Sequence, residues 1–213
     1  MRGVDEAVVR PPARADGRAR RRHDNARRLY DAADDLLRDV PFDEVSVDDI
    51  CERAGVGRAT FFRIYGTKAG LLREFNRRLT AAAVERLERR PAGDLAAALD
   101  EIRMAMVDAW ARTGRGHAGM AAEFVRTLPS AEPHAAHPEL LALVATQVER
   151  AIDTGELADD LPADLVASMA LLTMVVPIGH RITGHEVDFD TVSARLLNRW
   201  LAGMRADWDP GGA

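Results

Sequence analysis

Between Pro41 and Leu72 the chain holds two short runs of helical patterning hinged at Gly55-Val56-Gly57, and that hinge limits the possible folds more than any other feature. Val47, Ile50, Cys51 and Ala54 recur at helical spacing, and Phe61 and Ile64 follow three residues apart beyond the break. Ser46 precedes the first run as an N-cap, with Asp49 at the third helical position in an approximate capping box. Gly55 can take the positive φ that a tight turn between packed helices requires, and Val56 is placed to plug the angle between them. A longer helix is expected ahead of this pair, from about Arg22 to Asp39, with Leu29, Ala33, Leu36 and Leu37 inward and Pro41 ending it.

The rest of the chain continues in helices. Thr67 looks like the cap of a long one running to about Arg89. Beyond Pro91-Ala92-Gly93, five more are expected at about Leu95–Arg112, His117–Leu128, Pro138–Asp153, Ala163–His180 and Thr191–Met204. No strand-like alternation and no hairpin turn signal interrupts them. The expected fold class is therefore all-α, with about nine helices. Residues 1–21 read as a basic disordered arm, 22–66 as a three-helix N-terminal domain, 67–90 as a connecting helix and 91–206 as a larger C-terminal domain. Ser130–Pro138 reads as a loop and Asp207–Ala213 as a frayed tail.

Charge is divided unevenly. Residues 1–80 carry 17 Arg and Lys against 14 Asp and Glu, while the remainder carries 12 against 20. A basic front on an acidic remainder fits either a chain whose front meets a polyanion or a basic tail with no partner. The longest apolar stretch, Met169–Gly179, contains Thr173 and Pro177, so no membrane-crossing helix is expected. A single cysteine, Cys51, excludes an intrachain disulfide and is expected as a small buried hydrophobe; a reducing cytoplasm fits best.

A short helix, a glycine turn and a second short helix form a helix-turn-helix, which presents its second helix to the DNA major groove. Arg58, Ala59, Thr60 and Arg63 lie on that second helix. Arginine suits bidentate contact with guanine, and the Ala59 and Thr60 methyls suit thymine.

The run Val45–Lys68, VSVDDICERAGVGRATFFRIYGTK, and the AGLL after it resemble the DNA-binding segment of TetR-family regulators. The resemblance extends from near Arg22 to Leu72 and rests on an A-G-V…T-x-aromatic…K-x-x-L pattern. It implies an all-α, Ω-shaped homodimer: a one-component repressor with double-stranded operator DNA as its partner, a small-molecule effector, no catalysis and no cofactor. It implies base contacts from Arg58, Ala59, Thr60 and Arg63, and a phosphate contact from Lys68. A cation in a helix's first turn opposes the macrodipole, which an anion there would offset. Ser46 and Val47 should approach a phosphate in the same way. Phe62 stands where the family commonly has a phosphate-binding Tyr. Tyr65 would either substitute for it or pack. Ile64 replaces a common His, and Gly57 replaces the usual Ser or Thr cap.

In the C-terminal domain, Met104, Trp110, Met120, Phe124, Leu143, Met169 and Met174 are candidates for an effector pocket, because methionine lines adaptable surfaces; the competing reading is plain core. Leu165, Leu172, Val176, Leu196, Trp200 and Met204 form the apolar faces expected at a four-helix homodimer interface. His134-x-x-His137 with nearby His117 invites a metal reading, but no acid stands at ligand spacing and no metal site is expected. No phosphate-cradling loop, nucleophile elbow or HExxH motif supports an enzyme. The alternative function is a ligand-independent regulator or architectural protein controlled by a protein partner.

Overall fold

The computed structural model describes residues 13–89, 93–127, 137–182, 185 and 188–204. Among them are nine helices and no strand: α1 (Ala13–Asp39), α2 (Val47–Ala54), α3 (Arg58–Tyr65), α4 (Leu71–Arg89), α5 (Leu95–Ala111), α6 (Arg115–Arg126), α7 (Pro138–Asp153), α8 (Ala163–Ile182) and α9 (Phe189–Met204). Residues 130–136 of the expected loop and the tail 207–213 lie outside the described residues.

The first helix departs from expectation. It begins at Ala13, so residues 13–21 are helical where a disordered arm was expected. Alanine and arginine are both strong helix formers, which local patterning for burial does not register. Leu29, Ala33 and Leu37 are its buried stripe, against Ile50, Ala54 and Phe61 of the two short helices.

The hinge behaves as its residues dictate. Ser46 Oγ accepts the Asp49 N–H at 3.1 Å, and the Asp49 carboxylate accepts the Ser46 N–H at 3.0 Å, completing the capping box. Gly55 lies at φ 61°, ψ 40° and ends α2. Residues 66–70, expected as the first turn of α4, form a tighter prelude of i→i+3 bonds: the N–H groups of Gly70 and Leu71 donate to the Thr67 and Lys68 carbonyls at 3.1 and 3.2 Å. Thr67 Oγ1 accepts the Gly70 N–H at 3.1 Å, so Thr67 closes this turn instead of capping α4. A Cβ at Gly70 would fall 2.0 Å from the Tyr65 carbonyl oxygen, which only glycine permits.

Three attachments organise the larger domain around α5. Arg86 of α4 bonds Glu101 and Asp108, each at 2.9 Å. Arg103, buried on α5, bonds Asp100 at 2.8 Å and also holds Asp190 of α9. Glu156, between α7 and α8, accepts the Leu95 N–H at 2.9 Å and anchors the start of α5. The α8 helix is long and apolar enough to cross a membrane by length and composition, which the sequence reading did not expect. In this fold it packs on α7 and α9 through Val166, Ala167, Ala170, Leu171 and Met174.

The N-terminal domain is not joined to the rest through α4 alone. The start of α6 docks on the end of α1 by way of three glycines. A Cβ at Gly114 would fall 2.2 Å from the Arg38 Cα, one at Gly116 2.5 Å from the Val40 carbonyl oxygen, and one at Gly119 2.8 Å from the Phe42 Cβ.

Candidate nucleic-acid interface

The short third helix is divided cleanly. Phe61 is fully buried and Tyr65 nearly so, with their ring centroids 5.4 Å apart. Arg58, Ala59, Phe62 and Arg63 are exposed and Thr60 is half-buried, so one face carries two guanidinium groups, a methyl, a hydroxyl and an aromatic ring. The Arg58 guanidinium is held by Asp48 of α2, with Nη1 2.5 Å from Oδ1, and lies 5.7 Å from the Phe62 ring centre. Arg63 reaches back to Thr60 Oγ1 at 3.5 Å. Asp48 was not anticipated from sequence. Its only signal is acidity in the first turn of α2, which equally serves the helix dipole.

Ser46 and half-buried Val47 open α2. The Ser46 hydroxyl also donates to Asp49 Oδ2 at 2.6 Å, and its bonds hold the Asp49 carboxyl below the usual range. The hydroxyl is therefore engaged in the cap.

Two expected contact residues turn inward. Tyr65 is buried and its hydroxyl donates to the Ala26 carbonyl at 2.7 Å, tying α3 to α1. It packs, and does not replace the hydroxyl missing at Phe62. Lys68 stands in the prelude to α4 and not in a helix turn. Its Nζ donates to the carbonyls of Phe42 and Val45 at 2.6 and 2.8 Å and lies 4.1 Å from the Phe42 ring centre. Burial lowers its pKa. An ammonium has three donors; two of them clamp the α1–α2 connection and the third has no hydrogen-bond partner among the described residues.

Residues 29–75 match the family model described as bacterial regulatory proteins, tetR family. The matched segment runs from the first buried leucine of α1 through the hinge and α3 to the start of α4. That segment therefore resembles the DNA-binding domain of the TetR family. Solved structures agree in fold across nearly the whole length. The TetR-family transcriptional repressor FadR of Thermus thermophilus, in complex with lauroyl-CoA, has a TM-score of 0.70 at 21% identity, covering 88% of this chain and 99% of that one. FadR of Bacillus subtilis, in complex with stearoyl-CoA, has a TM-score of 0.61 at 16% identity, covering 84% and 99%. The regulatory protein TetR of Rhodobacter sphaeroides has a TM-score of 0.55 at 19% identity, covering 82% and 97%. A comparison with curated proteins returns no match. The shared fold is a helix-turn-helix domain followed by a helical C-terminal domain.

In the C-terminal core the expected effector residues separate. Trp110, Met120, Phe124 and Met174 are buried together, with the Trp110 and Phe75 ring centres 5.1 Å apart. Met104 and Leu143 are half-buried. Met169 is 46% exposed and does not belong with them. It continues the outer stripe of α8, Leu165-Met169-Leu172-Val176, because α8 is apolar on two faces and helical spacing alone does not say which is inward. Leu165 and Val176 are 50% and 42% exposed, an unusual surface for large apolar side chains. Leu196 is exposed and Trp200 and Met204 half-buried on the neighbouring α9. His134 lies outside the described residues, and among those described no three metal-ligating side chains gather. His117 is instead bonded to Asp34 at 2.8 Å. Two buried polar atoms, Trp110 Nε1 and His137 Nδ1, have no hydrogen-bond partner among the described residues.

Proposed function

We propose that this TetR-family regulator is a homodimeric repressor that leaves a palindromic operator when an apolar, fatty-acyl-type effector enters its C-terminal domain. The observation that carries the reading is the exposed face of α3, with Arg58, Ala59, Thr60 and Arg63 turned outward over a rigid aromatic base of Phe61 and Tyr65. Arg63 and Arg58 read base edges, and Phe62 lies against the sugar-phosphate edge beside Arg58. Lys68 offers its third donor to a phosphate, with Ser46 and Val47 at the start of α2 beside it.

Dimerisation follows from scale and from surface. One eight-residue helix reads few base pairs, so useful specificity requires two half-sites about 34 Å or one further turn apart. The outer stripe of α8 with Leu196, Trp200 and Met204 of α9 would be covered by the same faces of a second copy. The effector class is argued from the two FadR structures of the same fold, which hold lauroyl-CoA and stearoyl-CoA. Trp110, Met120, Phe124 and Met174 are buried apolar side chains of the core such a ligand would enter, and the buried Trp110 Nε1 and His137 Nδ1 have no hydrogen-bond partner among the described residues.

Selection from a random-sequence duplex library should enrich an inverted repeat, and lauroyl-CoA should both raise the melting temperature and release the selected duplex. Enrichment of an unrepeated site would remove the dimer, and a melting temperature indifferent to acyl-CoA would remove the effector class. Light scattering should give a dimer for the unaltered protein and a monomer for Trp200→Glu.

A further inference from the structure

From Arg18 to Arg28 the first helix carries six arginines and one acid, Asp24. All six arginines are exposed. None forms an ion pair with a described residue, whereas Arg77, Arg78, Arg86 and Arg103 each hold a carboxylate. This arrangement works against its own helix. Like charges three and four apart, such as Arg18 with Arg21 and Arg22, repel. An anion lying along such a stripe relieves that repulsion.

Position narrows what that anion is. The far end of α1, from Leu37 onward, is fixed against α6. The Arg28 guanidinium rests against Gly55, 2.9 Å from where a Cβ would stand, in the turn that leads directly into α3. Arg21 is seven residues before Arg28 and Arg18 three before that, so the three lie on one side of the helix and continue outward from the turn. Arg20 and Arg27 lie off that stripe, about 120° round the helix from its centre.

We infer that Arg18, Arg21 and Arg28 form a second DNA contact, holding backbone phosphates that flank the half-site read by α3. This rests on the proposed DNA-binding role of α3. A polyanion with regularly spaced charges matches a linear stripe of unpaired guanidinium groups, and the contact is with phosphate alone, so it extends the footprint without adding sequence preference.

The test measures binding to a fluorescein-labelled mixed-sequence 40-bp duplex as a function of salt. Each phosphate contact contributes about 0.9 to the slope of log K against log salt. Arg18→Gln/Arg21→Gln should lower the slope by about 2, while Arg20→Gln/Arg27→Gln should leave it within about 0.5 of the unaltered protein. All four side chains are exposed, and unchanged melting curves would establish that the variants fold. An unchanged slope for the first pair, or equal losses from both pairs, would overturn the inference while leaving the α3 reading intact. Absence of DNA binding by the unaltered protein would overturn both.

Discussion

His117 of α6 donates from Nε2 to Asp34 Oδ1 of α1 at 2.8 Å, a bond between residues 83 apart in sequence that joins the DNA-binding domain to the C-terminal domain. The ring's other nitrogen, Nδ1, accepts the Gly114 N–H at 3.2 Å, which places the proton on Nε2. His117 is 1% exposed. The histidine therefore orients both the carboxylate and the first turn of its own helix.

Removing one partner leaves the other buried and unsatisfied. Asp34→Leu should cost about 1–3 kcal/mol, read as a shift in the urea midpoint, and Asp34→Asn should cost less because its amide oxygen still accepts from Nε2. The Asp34 carboxyl is held below the usual range, first by His117 and then by Arg38, with burial opposing them. Its stabilising effect is present above the ordinary carboxylate pKa of about 3.9 and is lost as pH falls through the lowered value. Stability of Asp34→Asn should thus converge on that of the unaltered protein only in strong acid.

A second pH effect should appear at milder acidity. Burial pushes the His137 imidazole down to about 4. Between about pH 6.5 and 4 the unfolded chain binds this proton and the folded chain does not, so stability falls as pH falls through that window, by about 3 kcal/mol in all. His137→Leu should flatten melting temperature against pH over this range. An unchanged slope would show that His137 does not titrate this way.

The glycines of α6 should resist substitution in a graded order. Gly114→Ala sets a methyl against the Arg38 backbone, where nothing flexible can yield, and should cost at least about 1–3 kcal/mol. Gly119→Ala meets the Phe42 Cβ at 2.8 Å, a less severe approach than the 2.2 Å at Gly114, and should cost less. Thermal denaturation of the two variants checks the order.

Lys68 and Arg63 should fail differently. Lys68→Met strips two charged hydrogen bonds from the α1–α2 connection and should lower stability by about 2–4 kcal/mol as well as weakening all DNA alike. Arg63→Ala should leave the melting temperature nearly unchanged, yet cost about 1–3 kcal/mol on the selected operator and relax preference at one position. Comparing the melting curve and operator titration of each variant separates the two roles.

Asp48 shows a restraint on binding. Its pair with Arg58 is exposed on both sides, 57% and 64%, and surface pairs of this kind contribute about 0–1 kcal/mol. Asp48→Ala should therefore leave stability nearly intact while tightening binding to mixed-sequence DNA, since it frees a guanidinium and removes a negative charge near phosphate. Weaker binding would show that Asp48 positions Arg58 productively.

The hinge was legible because its signals are local. Ser46, Asp49 and Gly55 act on neighbours within a few residues, and the outward set of α3 follows from Phe61 alone. The start of α4 was not legible, because i→i+3 turns and α-helix share the same first-turn residues. The inward hydrogen bonds of Tyr65 and Lys68 were not legible for a different reason. Their acceptors, Ala26 and the Phe42 and Val45 carbonyls, lie 23 to 39 residues away, and backbone carbonyls carry no sequence signal. Met169 failed because an apolar side chain has the same pattern whether it is covered by its own chain or left on an outer face.

Since α1 is packed by α2 and α3 along one part of its length and by the glycines of α6 along another, there is no clean seam at which to cut the DNA-reading half away. Transplanting residues 13–66 onto the core of a different regulator would strand Leu37 and Phe42, both buried here, against an unmatched surface. A workable chimera must carry Gly114–Gly119 and the His117 ring along with the reading head, so the unit of exchange is discontinuous in sequence.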